Sequence, residues 1–222
     1  MDFLKILRSF EDFIFEAATW MLFYPLTMWR IVSRPLSTMR YSDSEQSDRE
    51  DGRYDDAISP PLLLLFTLVL VNFIAFALHV PAPEGSSILT SQIVSSPQNL
   101  ALFRSLVFSL LPLIAAVALL VAQRTRLSRA TIRPPFYAQC YLAAPVTVAI
   151  NLGGLFYQRA EVNNAWAAAV MIAAALWFMA TQTRWFASKL QWPLLRAFGL
   201  SCGVVVLSGV YLLILLIPVA LL

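Results

Sequence analysis

Residues that could do chemistry are few in this chain, and their spacing offers them little. The single histidine, His79, has no cysteine or acidic side chain at metal-ligand spacing, so no metal site is expected. Cys140 and Cys202 are the only two cysteines and read as small buried hydrophobes rather than as a bridge. Beyond residue 60 the only acids are Glu84 and Glu161, and no serine has a histidine or a buried acid nearby. Neither a nucleophile–base pair nor an acid–base couple can be assembled from that set. Gly153-Gly154 lies inside an apolar run, not in a strand-to-helix turn that would cradle a phosphate. The expectation is a non-enzymatic protein with no catalytic residues and no cofactor.

What remains are polar residues in apolar surroundings. Asn72 stands twelve residues into one apolar run and Asn151 fifteen into another, roughly 18 and 22 Å along helices rising 1.5 Å per residue. At a shared level they could hydrogen-bond across helices, a contact that contributes about 0.6–2 kcal/mol. Arg104 is the one charge inside the limits of these runs, three residues from an edge, where its side chain can snorkel. A solute path more often shows an ionisable residue at mid-depth, so structural glue is the favoured role for the asparagines. Two stripes of small residues, Gly199 with Gly203 and Ala165 with Ala169 and Ala173, would let helix backbones approach closely, in one chain or between copies.

The elements that must carry these residues follow from how charge is distributed. Of 222 residues 59% are hydrophobic, and residues 1–60 hold 7 Lys/Arg and 11 Asp/Glu against 9 and 2 in residues 61–222. The long uncharged runs that result exclude an ordinary soluble enzyme. Five of them reach the roughly 20 residues needed to cross a hydrocarbon core: 60–80, 101–122, 136–157, 164–182 and 198–222. They lack the every-second-residue polarity of barrel strands, so the fold class is all-α, a polytopic membrane bundle. Lys and Arg in the connecting segments number 14 on one side and 2 on the other, which predicts an integral protein of a bacterial inner membrane with the N-terminus in the cytoplasm and the C-terminus outside.

Two segments precede the spans. In residues 1–35, Lys5, Ser9, Asp12, Glu16, Thr19, Thr27, Arg30 and Arg34 recur at helical spacing, interrupted by Phe23, with apolar residues over the remaining surface. That is the pattern of an amphipathic helix lying in the membrane interface, favoured over a span across 13–32, with a kink near Pro25. Residues 36–58 form an acidic, serine-bearing linker whose composition predicts a solvated tether, with a docking or phosphorylated segment as the rival reading. It ends at Ser59-Pro60-Pro61, where Ser59 can cap the first span and Pro60 can occupy its first turn.

Five spans behind a hydrophilic N-terminal segment, together with the third-span stretch Phe136-Tyr137-Ala138-Gln139-Cys140-Tyr141-Leu142-Ala143-Ala144-Pro145, resemble bacterial members of the Yip1-domain membrane protein family. The resemblance covers residues 59–222, while the Asp-Leu-Trp-Gly signature of eukaryotic members is missing, so their vesicle-traffic role and functional residues do not carry over. The function expected is a scaffold or accessory subunit of a membrane assembly, with a small-solute permease or channel as the alternative. Expected partners are the lipid bilayer and either another membrane protein or further copies of the chain, not nucleic acid.

Overall fold

A computed structural model describes residues 3–47, 54–78, 97–157 and 164–221. These residues form seven helices and no strand: α1 (Phe3–Ser33), α2 (Pro35–Ser47), α3 (Pro60–Ala77), α4 (Pro97–Ala122), α5 (Arg129–Tyr157), α6 (Asn164–Leu190) and α7 (Leu194–Leu221). Four of them are long and apolar enough to cross a membrane, namely α3, α5, α6 and the stretch Leu194–Ile214 of α7. α4 adds an apolar stretch that, among the described residues, runs Phe108–Ala122.

Local chemistry sets the helix ends. Ser59 takes the N-cap position of α3 with Pro60 behind it, but its side chain makes no capping bond. Its carbonyl instead accepts from Leu63 N at 2.9 Å. The N-terminus of α5 is closed reciprocally, Thr131 N donating to Ser128 Oγ at 3.2 Å and Ser128 N to Thr131 Oγ1 at 2.9 Å. That cap starts α5 at Arg129, seven residues before the expected 136, and the helix then runs through Pro134, Pro135 and Pro145. Two helices end on side-chain-bearing residues in the left-handed region that usually favours glycine. Arg124 (φ 55) follows α4, where Thr125 N reaches back to Leu120 O at 2.9 Å. Gln191 (φ 53) follows α6, where Trp192 N reaches Ala187 O at 3.2 Å.

Helix α5 sits at the centre, packed against α2, α3, α4 and α6. One core cluster joins Met39 of α2 to Ala138 and Leu142 of α5, Trp185 and Phe186 of α6 and Val204 of α7. A second joins Ile31 of α1, Tyr54 and Ile58, Leu63 and Leu68 of α3, and Tyr141 and Ala144 of α5. The α5–α6 approach is closest at Gly153, where an added Cβ would lie 2.5 Å from Met171 Cγ and 3.4 Å from Ala167 O. This is the work of a glycine that the sequence marks only as lying within a span.

Residues 36–47 are not a solvated tether. They form most of α2, and Thr38, Met39 and Ser42 on its inner face are buried. Acidic composition describes only the outer face; burial of Met39 against α5 and α6 supplies the apolar contact that the segment lacks by itself. α1 and α2 meet at a tight break, Pro35 opening the second helix while Thr38 Oγ1 donates to Arg30 O at 3.2 Å and Arg34 O at 3.0 Å. Those bonds occupy carbonyls that the end of α1 would otherwise leave unpaired.

Candidate functional site

The densest polar geometry lies where α1, α2, residues 54–58 and α5 meet. Tyr54 is at its centre and adopts φ 61, a left-handed backbone that costs a non-glycine residue about 1–3 kcal/mol. Its neighbours hold it there. Tyr54 N donates to Glu45 Oε2 at 2.7 Å, Gln46 Nε2 donates to the Tyr54 hydroxyl at 2.9 Å, and Ser42 Oγ lies 3.2 Å from the same hydroxyl. Around the ring stand Tyr41 and Tyr141, both edge-on at 6.1 and 6.4 Å between centroids, and Tyr137, stacked at 6.3 Å. Arg133 lies over the Tyr137 ring at 5.4 Å.

Each partner extends the network to another element. The Tyr141 hydroxyl donates to Ile58 O at 2.8 Å, joining the middle of α5 to the entry of α3. Tyr41 donates to Asp56 Oδ1 at 2.6 Å and Arg30 to Asp56 Oδ2 at 3.0 Å, joining α2 and α1 to the same carboxylate. The Tyr41 hydrogen bond first, and the Arg30 guanidinium after it, hold the Asp56 carboxyl below the usual carboxylate range. Burial pushes the Tyr41 and Tyr54 hydroxyls up, and for Tyr41 the adjacent carboxylate adds to the effect. On the other side of α2, Asp43 pairs with Lys189 of α6, whose ammonium also lies 4.8 Å from the Trp185 ring centroid. Burial there raises the Asp43 carboxyl, opposed by Lys189. Chemically this is a clamp that fastens the N-terminal helices to the bundle. Beside it, a cleft of about 560 Å³ opens between α1 and residues 54–62, lined by Thr19, Trp20, Tyr54 and Asp55 among others.

The residues singled out from sequence lie elsewhere. Asn72 and Asn151 do not bond to each other. Asn72 Nδ2 donates to Leu68 O at 2.9 Å and Asn151 Nδ2 to Thr147 O at 2.8 Å, each within its own helix. Arg104 belongs to α4. His79, Glu84, Arg159 and Glu161 lie outside the described residues. Gly199 and Gly203 are exposed and an added Cβ would meet nothing within 4 Å, while Ala165, Ala169 and Ala173 are exposed too. Both stripes therefore face outward instead of packing the bundle, and the close contact between α5 and α6 uses Gly153 and Ala167. Among the described residues no group of three His, Cys, Asp or Glu could hold a metal ion, and both cysteines are free.

Three buried side chains escape the sequence reading. Gln139 Nε2, both amide atoms of Gln182 and Trp185 Nε1 are enclosed without a hydrogen-bond partner. Gln139 lies fourteen residues back from Gly153, while Thr181 and Trp185 lie fourteen forward from Ala167 and Met171, so the antiparallel register puts the three at one level. The only sequence signal was an amide inside an otherwise apolar run, near its end. Comparison with known proteins adds no relative: no protein-family model, no curated protein and no solved structure matches the chain.

Proposed function

We propose that this chain is a non-enzymatic integral membrane protein, a Yip1-like scaffold or accessory subunit of a membrane assembly in a bacterial inner membrane. In this reading α4 completes a set of five spans, α1 lies in the membrane interface, and the α2 end of the bundle faces the cytoplasm. The observation that carries the reading is the clamp around Tyr54, which ties α1 and α2 to α3, α5 and α6 through Asp56, Tyr141 and the Asp43–Lys189 pair. A clamped helix offers partners a fixed surface, whereas a solute path needs an end that opens. The outward small-residue stripes on α6 and α7 support contact with a neighbouring helix, from a partner protein or a second copy. Exposed Phe15, Met21, Leu22 and Trp29 on α1 support its place at the interface.

The orientation is tested by labelling single cysteines in intact cells. A probe at Ser87 should react from outside and one at Ser128 only after permeabilisation; the reverse pattern would overturn the topology. The scaffold reading is tested by a photo-crosslinker at Ser37, exposed on α2. A discrete adduct that disappears in Tyr54→Ala, with no solute flux from the purified chain in vesicles, is the expected outcome. Flux lost in Asn151→Leu, without an adduct, would replace the scaffold with the permease.

A further inference from the structure

A second concavity lies on the other side of α1 from the clamp. It is a groove of about 500 Å³ between α1, α3 and α5, within the roughly 300–1,000 Å³ range of small-molecule sites. Met28, Trp29 and Val32 wall it from α1, Ile74 from α3, and Val148 and Ala149 from α5. We propose that this groove binds one acyl chain of a phospholipid, whose phosphate is met by Arg34.

The identity of the occupant follows from the walls and the charge beside them. Both α3 and α5 are apolar enough to cross a membrane, so a groove along their seam opens into hydrocarbon rather than water. The Tyr24 hydroxyl, which also borders the groove, is 3.2 Å from Thr67 Oγ1 and so is already engaged. The lining thus offers a polar ligand little to bind and an alkyl chain continuous contact. The cleft beside Tyr54 differs, with Asp55 and Thr19 in its walls. What separates the groove from ordinary lipid-facing surface is its third wall, α1, held in place by Tyr24 on Thr67, Thr27 on Ile58 and Arg30 on Asp56. The charge pattern matches a phospholipid. Arg30 is tied to Asp56, but Arg34, two residues beyond Val32, is exposed and forms no ion pair among the described residues. A phosphate at the end of α1 would complement it.

The inference rests on the chain being membrane-spanning, which the cysteine labelling tests separately. The test uses the full chain in phosphatidylglycerol–phosphatidylcholine vesicles carrying a trace of phospholipid with a photoactivatable acyl chain. Labelled peptides are mapped by mass spectrometry, with exposed Leu213 on α7 reporting lipid that merely surrounds the protein. Label should concentrate on Met28 and Ala149, and filling the groove by Ala149→Trp should lower it there about tenfold while Leu213 is unchanged. Met28→Trp fills the groove from α1 and repeats the test should Ala149→Trp not fold. Arg34→Gln should reduce the preference for phosphatidylglycerol about fivefold, the effect of one basic residue near an anionic surface. Equal labelling of the groove and Leu213, groove labelling that survives a well-folded filled variant, or crosslinks to a second copy in place of lipid would each overturn the proposal.

Discussion

The clamp around Tyr54 and the interior of the spans both contain buried polar groups, and they satisfy them in opposite ways. In the clamp the bonds run between elements: Tyr141 to Ile58, Tyr41 to Asp56, Arg30 to Asp56. Inside the spans the bonds turn back on their own helix four residues earlier: Thr67 to Leu63, Asn72 to Leu68, Thr147 to Ala143, Asn151 to Thr147, Ser201 to Ala197. Only Thr183 Oγ1, 3.4 Å from Ser201 Oγ, reaches a neighbouring span among those described. Short side chains lie within reach of the carbonyl one turn back; Gln139 Nε2, the Gln182 amide and Trp185 Nε1 find no partner in the core. Relative placement of the elements is therefore specified by polar bonds at the clamp and by shape between the spans.

Three sets of substitutions test that contrast. The largest effect should come from Tyr54→Ala, which removes the ring that Tyr41, Tyr137 and Tyr141 surround. Truncating a buried aromatic costs about 3–5 kcal/mol, and alanine, which keeps a Cβ, leaves the left-handed strain at position 54 in place. Thermal unfolding in detergent should show the loss, and a thiol probe at Met39→Cys should become reactive as α2 lifts. A near-native melting point with Met39→Cys still protected would mean that the clamp does not hold α2.

Next is Gly153→Val. Shape alone fixes the α5–α6 approach at that point, so the added carbons collide with Met171 and should destabilise by about 1–3 kcal/mol or more. Gly199→Val, on an exposed face with no atom near the added Cβ, is the internal control and should change the monomer little. Equal losses at both positions would show that the outward glycine faces a partner helix in the purified protein.

The smallest effects belong to the asparagines. Because each amide bonds within its own helix, Asn72→Leu and Asn151→Leu should each cost under about 1 kcal/mol, and the double variant should equal the sum of the singles. The measurement is a double-mutant cycle by denaturant titration in mixed micelles. Coupling beyond about 0.5 kcal/mol would show that the two amides meet in a state other than this one.

Much of the architecture was legible from hydropathy, because a long apolar run has few structural solutions in lipid. The helical repeat of polar residues in 1–35 marked a helix, and α1 spans almost all of it. The boundary of α5 was not legible: Pro134-Pro135 looks like a stop, and a cap at Ser128 and Thr131 overrides it. Nor was α2, since the decisive event for Met39 is a contact with residues about a hundred and more positions away. The clamp shared that difficulty. Tyr137 and Tyr141 are one helical turn apart at the start of an apolar run, but Tyr54 sits in an acidic stretch whose composition suggested solvent. Polar residues at depth were found where they interrupted a run and missed where, as with Gln139 and Gln182, they lay close to its end.

The Asp43–Lys189 pair joins residues 146 positions apart, and the bond from Tyr141 to Ile58 spans 83. A ribosome adding about 5–20 residues per second exposes Asp43 roughly 7–30 seconds before Lys189 is made. Throughout that interval α2 lacks its ion-pair partner on α6, and the part of its surface that packs on α6 is open to chaperones and proteases. Closing the pair is therefore a late step in biogenesis, and it records that α5 and α6 have been inserted and packed. A chain that stalls before α6 leaves Asp43 without Lys189 and the α6-facing side of α2 uncovered, a difference that quality-control machinery can read without inspecting the spans themselves.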